Sequence, residues 1–271
     1  MNIKKVKKIL KIVLVVFVVL TALYFWGEKA SHFLIDVKNF TDGPCKKSDG
    51  IATIEIKGDI TSYFIYTPVS DKSDSSASDD AVSAEEVVAC INDIKEDPFS
   101  KGVIVEISSG GGSPVASEEI MNAIRGIGKP TVSVIRERAT SGAYLIATAA
   151  DRIFASEFSD IGSIGVTMSY LDYSQQNEQD GIIYQQLSSG KFKDAGDPDR
   201  PLTDEERELF MRDSKLIYEA FIRNVATNRN LEIEKVRKLA DGSSMLGVAA
   251  KENGLIDEIG DRSSAEKWFG Y

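Results

Sequence analysis

An α/β fold with a largely parallel central sheet is predicted by three observations. From residue 84 onward, helical and strand patterns alternate along the chain. The strand runs are short and almost wholly apolar, and a triple glycine follows directly on one of them. Strands that alternate with helices build parallel sheets, and a strand covered on both faces reads as a continuous apolar run.

The N-terminus has a different character. Lys4, Lys5, Lys7, Lys8 and Lys11 follow one another with no acid among them, ahead of the charge-free run IVLVVFVVLTALYFW from Ile12 to Trp26. With Ile9, Leu10 and a snorkelling Lys11, residues 9–26 reach the length of about 18 residues that spans a bilayer, closed by Tyr24, Phe25 and Trp26 as an aromatic belt. A cleaved signal peptide is the rival, but its cleavage region carries small residues where bulky aromatics stand here. The basic flank places residues 1–8 in the cytoplasm and the rest of the chain on the extracytoplasmic side. The turn-rich residues 27–49 read as a juxtamembrane connector, and 50–271 as the globular domain.

Composition narrows the function. A hydrophobic fraction of 42% with 27% charged residues is that of a folded core, and a net charge of −10 argues against a nucleic-acid partner. The two cysteines, Cys45 and Cys90, form no CxxC, and His32 is the one histidine. No metal site or cofactor is therefore expected. Outside the cytoplasm a disulfide is permitted. Cys90, within the helical pattern AEEVVACINDI, is expected as a buried free thiol, with a Cys45–Cys90 bridge as the alternative.

Within the domain, GIATIEIKGDI (50–60) alternates as a strand, and the Ser/Asp-rich stretch 69–86 reads as an exposed mobile loop. Val87, Val88, Ile91 and Ile94 form a helical stripe. VIVEI (103–107) is a strand, Ile120, Met121, Ile124 and Ile127 mark a helix, and TVSVI (131–135), RIFAS (152–156) and IIYQQL are further strands. Thr203-Asp-Glu-Glu206 is a capping box opening a long amphipathic helix, and a second helix covers about 232–240.

Two stretches could carry chemistry. Ser141, in ATSGAY, stands at a strand-to-helix turn with the small residues Gly142 and Ala143 behind it. A nucleophile there lies beside backbone N–H groups able to stabilise an oxyanion, although a helix N-cap explains a lone serine equally well. In Ser108-Ser109-Gly110-Gly111-Gly112, directly after VIVEI, three glycines permit positive φ and close approach of a ligand backbone. The phosphate-binding patterns G-x-x-x-x-G-K-[ST] and G-x-G-x-x-G are both absent. The stretch reads instead as a loop, Gly110 and Gly111 pairing with an extended peptide and the loop supplying an oxyanion donor. With His32 beside the membrane span, a Ser-His-Asp triad is excluded, and the base must be a lysine kept neutral by burial. SGKFKD supplies Lys191 and Lys193, and spacing does not choose between them.

ISSGGGSPVASEEI, ATSGAYLIATAADRIFA, IGSIGV, SGKFKDAGDPDR and LADGSSMLGVAAKENGLIDEIG together resemble, in this order, the signal peptide peptidase A family, the membrane-anchored serine proteases of peptidase family S49. The resemblance covers about residues 50–265. It implies a ClpP/crotonase-like spiral of ββα units and assigns Ser141 as nucleophile and Lys193 as general base, Lys191 falling at a variable position. Gly112 N–H becomes an oxyanion donor alongside that of Ser141 or Gly142, and Ser163 a helper hydroxyl. Two departures from the family pattern stand out: Ser108 and Gly110 replace its Asn and Pro, and Gly196-Asp197-Pro198 replaces its usual Ser-Pro. The resemblance further implies remnant signal peptides and other extended polypeptides as substrates. It also implies a homo-oligomer of up to eight protomers in which the lysine meets a neighbour's serine. The rival is a non-catalytic, membrane-anchored crotonase-like protein that binds peptides or acts as a scaffold.

Overall fold

A computed structural model describes residues 44–46, 50–63 and 81–271. The chain divides into two compact units, Met1–Lys46 and Lys47–Tyr271. Of the first unit, the described residues contribute one short strand, β1 (Cys45–Lys46). The basic segment 1–8, the span 9–26 and most of the connector lie outside the described residues. Among the described residues no helix is long and apolar enough to cross a membrane.

The second unit is built on a sheet whose central path runs β2 (Ile51–Thr61), β4 (Gly102–Gly112), β5 (Thr131–Thr140), β6 (Arg152–Ala155) and β9 (Glu258–Ile259), every neighbouring pair parallel. β3 (Ala81–Ser83) adds in parallel to β2. The loop expected over 69–86 is thus shortened at its end: 81–83 is a strand, and α1 (Ala84–Glu96) begins at once behind the Ser83 cap, whose side chain accepts from Glu86 N–H. Residues 69–80 lie outside the described residues.

β5 divides the sheet. Its first half pairs with β6, from Val132 to Ile135, and its second half with β7 (Asp160–Gly162), from Arg138 to Thr140. β7 in turn pairs antiparallel with β8 (Ser244–Leu246). Ser159 holds the fork, donating to Arg136 O at 2.6 Å while accepting from Ser156 N–H. One strand thereby carries two pairings at different levels, and the later one brings Gly162 to the end of β5.

The apolar runs of β2, β4 and β5 are buried on both faces, as helices on each side require. On one face Ile51, Ile104, Val132, Val134 and Phe154 form a cluster with Ala265 of α8 (Arg262–Trp268) and with Phe269. α1 turns Val87, Ile91 and Ile94 inward, and α2 (Pro114–Arg125) does the same with Ile120, Met121 and Ile124 behind a Ser113 cap and an N1 proline. Burying each such side chain contributes roughly 1.5–3 kcal/mol. α3 (Gly142–Ala147) is buried at every residue. The expected capping box is present at the start of α5 (Asp204–Arg229), with Thr203 accepting from Glu206 N–H and Glu206 accepting from Thr203 N–H. α6 (Ile233–Leu239) and α7 (Gly247–Asn253) follow.

Three expectations are corrected. IIYQQL forms no strand: apart from α4 (Ser174–Gln179) the region is irregular, with Ile183 75% and Leu187 96% exposed. It pairs with no strand among the described residues. The Gly110–Gly112 stretch is not a loop but the end of β4, in register with β2 through Asp59–Gly111 and Ile60–Gly112. Cys90 is not a free thiol, since both Cys45 and Cys90 are disulfide-bonded.

Candidate active site

Ser141 separates β5 from α3 with φ 53° and ψ −129°, a region that costs a non-glycine residue about 1–3 kcal/mol. Although it occupies the N-cap position, its side chain makes no cap hydrogen bond. Its backbone is held on both sides: the N–H donates to Gly162 O at 2.8 Å, and the carbonyl accepts from Tyr144 N–H at 3.0 Å and Leu145 N–H at 3.2 Å. The helix behind it is anchored by fully buried Tyr144, whose hydroxyl donates to Leu255 O at 2.8 Å. Burial raises the Tyr144 phenol well above its ordinary range, so it remains a neutral donor. The turn therefore presents an uncommitted hydroxyl on a rigid backbone.

The end of β4 lies against this turn. A Cβ on Gly111 would stand 2.9 Å from both Gly142 N and Ser141 Cβ, one on Gly112 2.2 Å from Ile60 O, and one on Gly142 2.2 Å from Ser117 Oγ. Only glycine permits this approach. Ser113 N–H donates to Ile60 O at 2.8 Å, so by strand alternation Gly112 N–H points away from β2. That side faces the Ser141 turn, where a Gly142 Cβ would lie 3.7 Å from Gly112 N. Gly142 opens α3, and a first-turn N–H has no partner within its helix. Of the two donors left open by the sequence, Ser141 N–H is committed to Gly162, which leaves Gly142 with Gly112.

Ser109 was assigned no role in the sequence. It is fully buried, donates to Gly58 O at 2.6 Å and accepts from Gly111 N–H at 3.1 Å. It braces the glycine stretch where proline is lacking. Thr140 adds a bond from Oγ1 to Gly110 O at 3.2 Å.

Ser163 follows Gly162 and is likewise strained, at φ 48°. Its N–H donates to Ser243 O and its hydroxyl to Gly242 O, each at 2.9 Å. Ser141, Gly142, Gly110, Gly112 and Ser163 all line one cleft of about 1620 Å³. Its opposite wall is α5, presenting Glu208, Met211, Arg212 and Lys215. Lys215 is a cation in this cleft that sequence reasoning did not single out, because a lysine on an amphipathic helix carries no local signal.

Lys193 does not line the cleft. It is exposed, on a turn closed by its own N–H to Gly190 O at 3.1 Å. That turn docks on the start of α5: a Cβ on Gly196 would meet the Phe210 ring at 3.0 Å, and Arg200 pairs with Glu206. The lysine-bearing turn is thus held at the first two turns of α5. Lys191 is engaged elsewhere, with its Nζ 2.7 Å from Glu205 and 5.2 Å from the Phe192 ring centroid.

The fold belongs to the ClpP-like α/β class. A mutant ClpP1 from Listeria monocytogenes superposes with a TM-score of 0.50 at 16% identity, covering 78% of this chain and 92% of its own. The family profile of Peptidase family S49 matches residues 123–269, more than half of the chain, and the chain belongs to that family. Among its relatives is a putative protease of Methanocaldococcus jannaschii, 36% identical over 65% of this chain and 58% of its own length. A putative signal peptide peptidase SppA of Enterococcus faecium is 38% identical over 62% of this chain and 49% of its own. A chloroplastic serine protease SPPA of Arabidopsis thaliana is 31% identical over 84% of this chain and 33% of its own. This chain therefore spans between a third and three fifths of the length of these relatives.

Proposed function

We propose that the protein is a membrane-anchored serine endopeptidase that hydrolyses remnant signal peptides and other extended polypeptides on the extracytoplasmic side. The observation that carries the reading is Ser141: a strained, backbone-locked serine with an uncommitted hydroxyl, beside the N–H groups of Gly112 and Gly142, in a chain of family S49.

Lys193 Nζ takes the proton of Ser141 Oγ as the oxygen attacks a peptide carbonyl carbon. The tetrahedral oxyanion is stabilised by Gly112 and Gly142 N–H. Collapse breaks the C–N bond, and the leaving amine takes the proton from the lysine. Water, deprotonated by the same lysine, then attacks the acyl-enzyme and releases the acid and the serine.

Lys193 is exposed and does not line the cleft that holds Ser141, so the reading takes the lysine from a second copy, in a homo-oligomer of up to eight protomers. The same placement favours, as a second reading, a peptide-binding scaffold in which Ser141 has no base. A fluorophosphonate probe distinguishes them: labelling lost in Ser141→Ala supports the peptidase, and no labelling of the wild type supports the scaffold. Mixing Ser141→Ala with Lys193→Ala chains should then restore turnover. No recovery in that mixture, together with loss of turnover in Lys215→Ala, would move the base to the cleft wall of the same chain.

A further inference from the structure

The turn that carries Lys193 is held by more than its own backbone. Arg200 donates to both carboxylate oxygens of Glu206, Nη1 reaching Oε2 at 3.0 Å, and its Nη2 donates at 2.6 Å to the carbonyl of Asp194, the residue after Lys193. The Asp194 carboxylate accepts from the Tyr184 hydroxyl at 3.0 Å. The Arg200 side chain is 14% and that of Glu206 4% exposed, whereas Lys191 and Glu205, the other pair flanking the turn, are each 62% exposed. Glu206 is fixed in turn by the capping box of α5. A buried bidentate pair with a third bond into a turn provides geometric specificity more than net stability.

We infer that Arg200 and Glu206 are positioning residues for the general base: the guanidinium, locked onto the first turn of α5, holds the Asp194 carbonyl and so determines where Lys193 is delivered. This rests on the reading of Lys193 as the base. A displacement of about 1 Å at a reacting group costs on the order of 10²-fold in rate, so the clamp matters for turnover more than for substrate binding.

The test uses the full chain in detergent or vesicles, with an unstructured peptide substrate. In Arg200→Met/Glu206→Leu both partners become apolar, which removes the clamp without leaving a buried charge unpaired. The expected result is a folded protein with kcat lowered about 10²-fold and KM within about twofold. Arg200→Lys, which keeps one donor but loses the fork, should fall between the two. A folded double variant with the kcat of the wild type, or one whose loss lies in KM alone, would show the clamp to be structural only and overturn the inference. Lys193→Ala is the separate control: if it retains turnover, the base assignment itself has failed, whatever the Arg200 variants do.

Discussion

The Ser141 N–H donates to the Gly162 carbonyl at 2.8 Å, tying the candidate nucleophile to the last residue of β7. This bond holds the strained backbone, removes Ser141 N–H from the set of oxyanion donors, and places Ser163, the next residue after Gly162, in the same cleft. The site is thus organised by a contact between residues 21 positions apart, through the forked pairing of β5.

If Gly142 is an oxyanion donor, its Cα must stay against Ser117. Gly142→Ala places a Cβ 2.2 Å from Ser117 Oγ and should lower kcat by about 10²–10³-fold, the range for losing one such donor. Adding Ser117→Gly should recover part of the loss. Peptide hydrolysis by the single and double variants checks this, and equal activity of the two would argue against steric displacement as the cause.

Ser109 braces the glycine end of β4 from a fully buried position. Ser109→Ala leaves Gly58 O and Gly111 N–H without their partner and should cost about 1–3 kcal/mol in denaturant unfolding. The kcat should fall alongside, because the Gly112 donor is then less rigidly aimed.

Arg229, near the end of α5, makes a bidentate pair with Asp257, and its side chain is only 7% exposed. Asp257 also accepts from Ile153 N–H of β6 at 2.7 Å. Asp257→Ala strands a buried guanidinium and should destabilise the domain by about 3–5 kcal/mol. Thermal unfolding measures it, and a loss below about 1 kcal/mol would mean that water reaches the arginine.

The Arg200 guanidinium, with the Thr203 N–H beside it, holds the Glu206 carboxyl down at about 2. A carboxylate depressed in the folded state contributes stability that is complete above its unfolded value and is lost as pH falls through the folded one. The Glu206 contribution should therefore be present above about pH 4.5 and vanish toward about pH 2. Unfolding followed across this window should show a shallower acid loss in Glu206→Gln than in the wild type. Parallel curves would contradict the assignment.

Much of the fold was legible in the sequence, for local reasons. The apolar runs at 103–107, 131–135 and 152–156 are strands, and Thr203 with Glu206 caps α5, because such signals depend on neighbours a few positions away. Where pairing with a distant edge decides, the reading failed. IIYQQL has strand composition but pairs with no strand among the described residues, and Gly110–Gly112 has loop composition but is ordered by β2.

The sequence by itself determined the alternating architecture and the capped helices, and singled out Ser141 as the candidate nucleophile. Only the tertiary structure decided that Gly142 rather than Ser141 keeps a free N–H, that Ser109 braces the glycines, and that Lys193 lies outside the Ser141 cleft, on a turn docked against the start of α5. Each of these depends on a hydrogen bond or a helix face shared between segments far apart in the chain. A single chain order does not specify which donor a distant carbonyl will take.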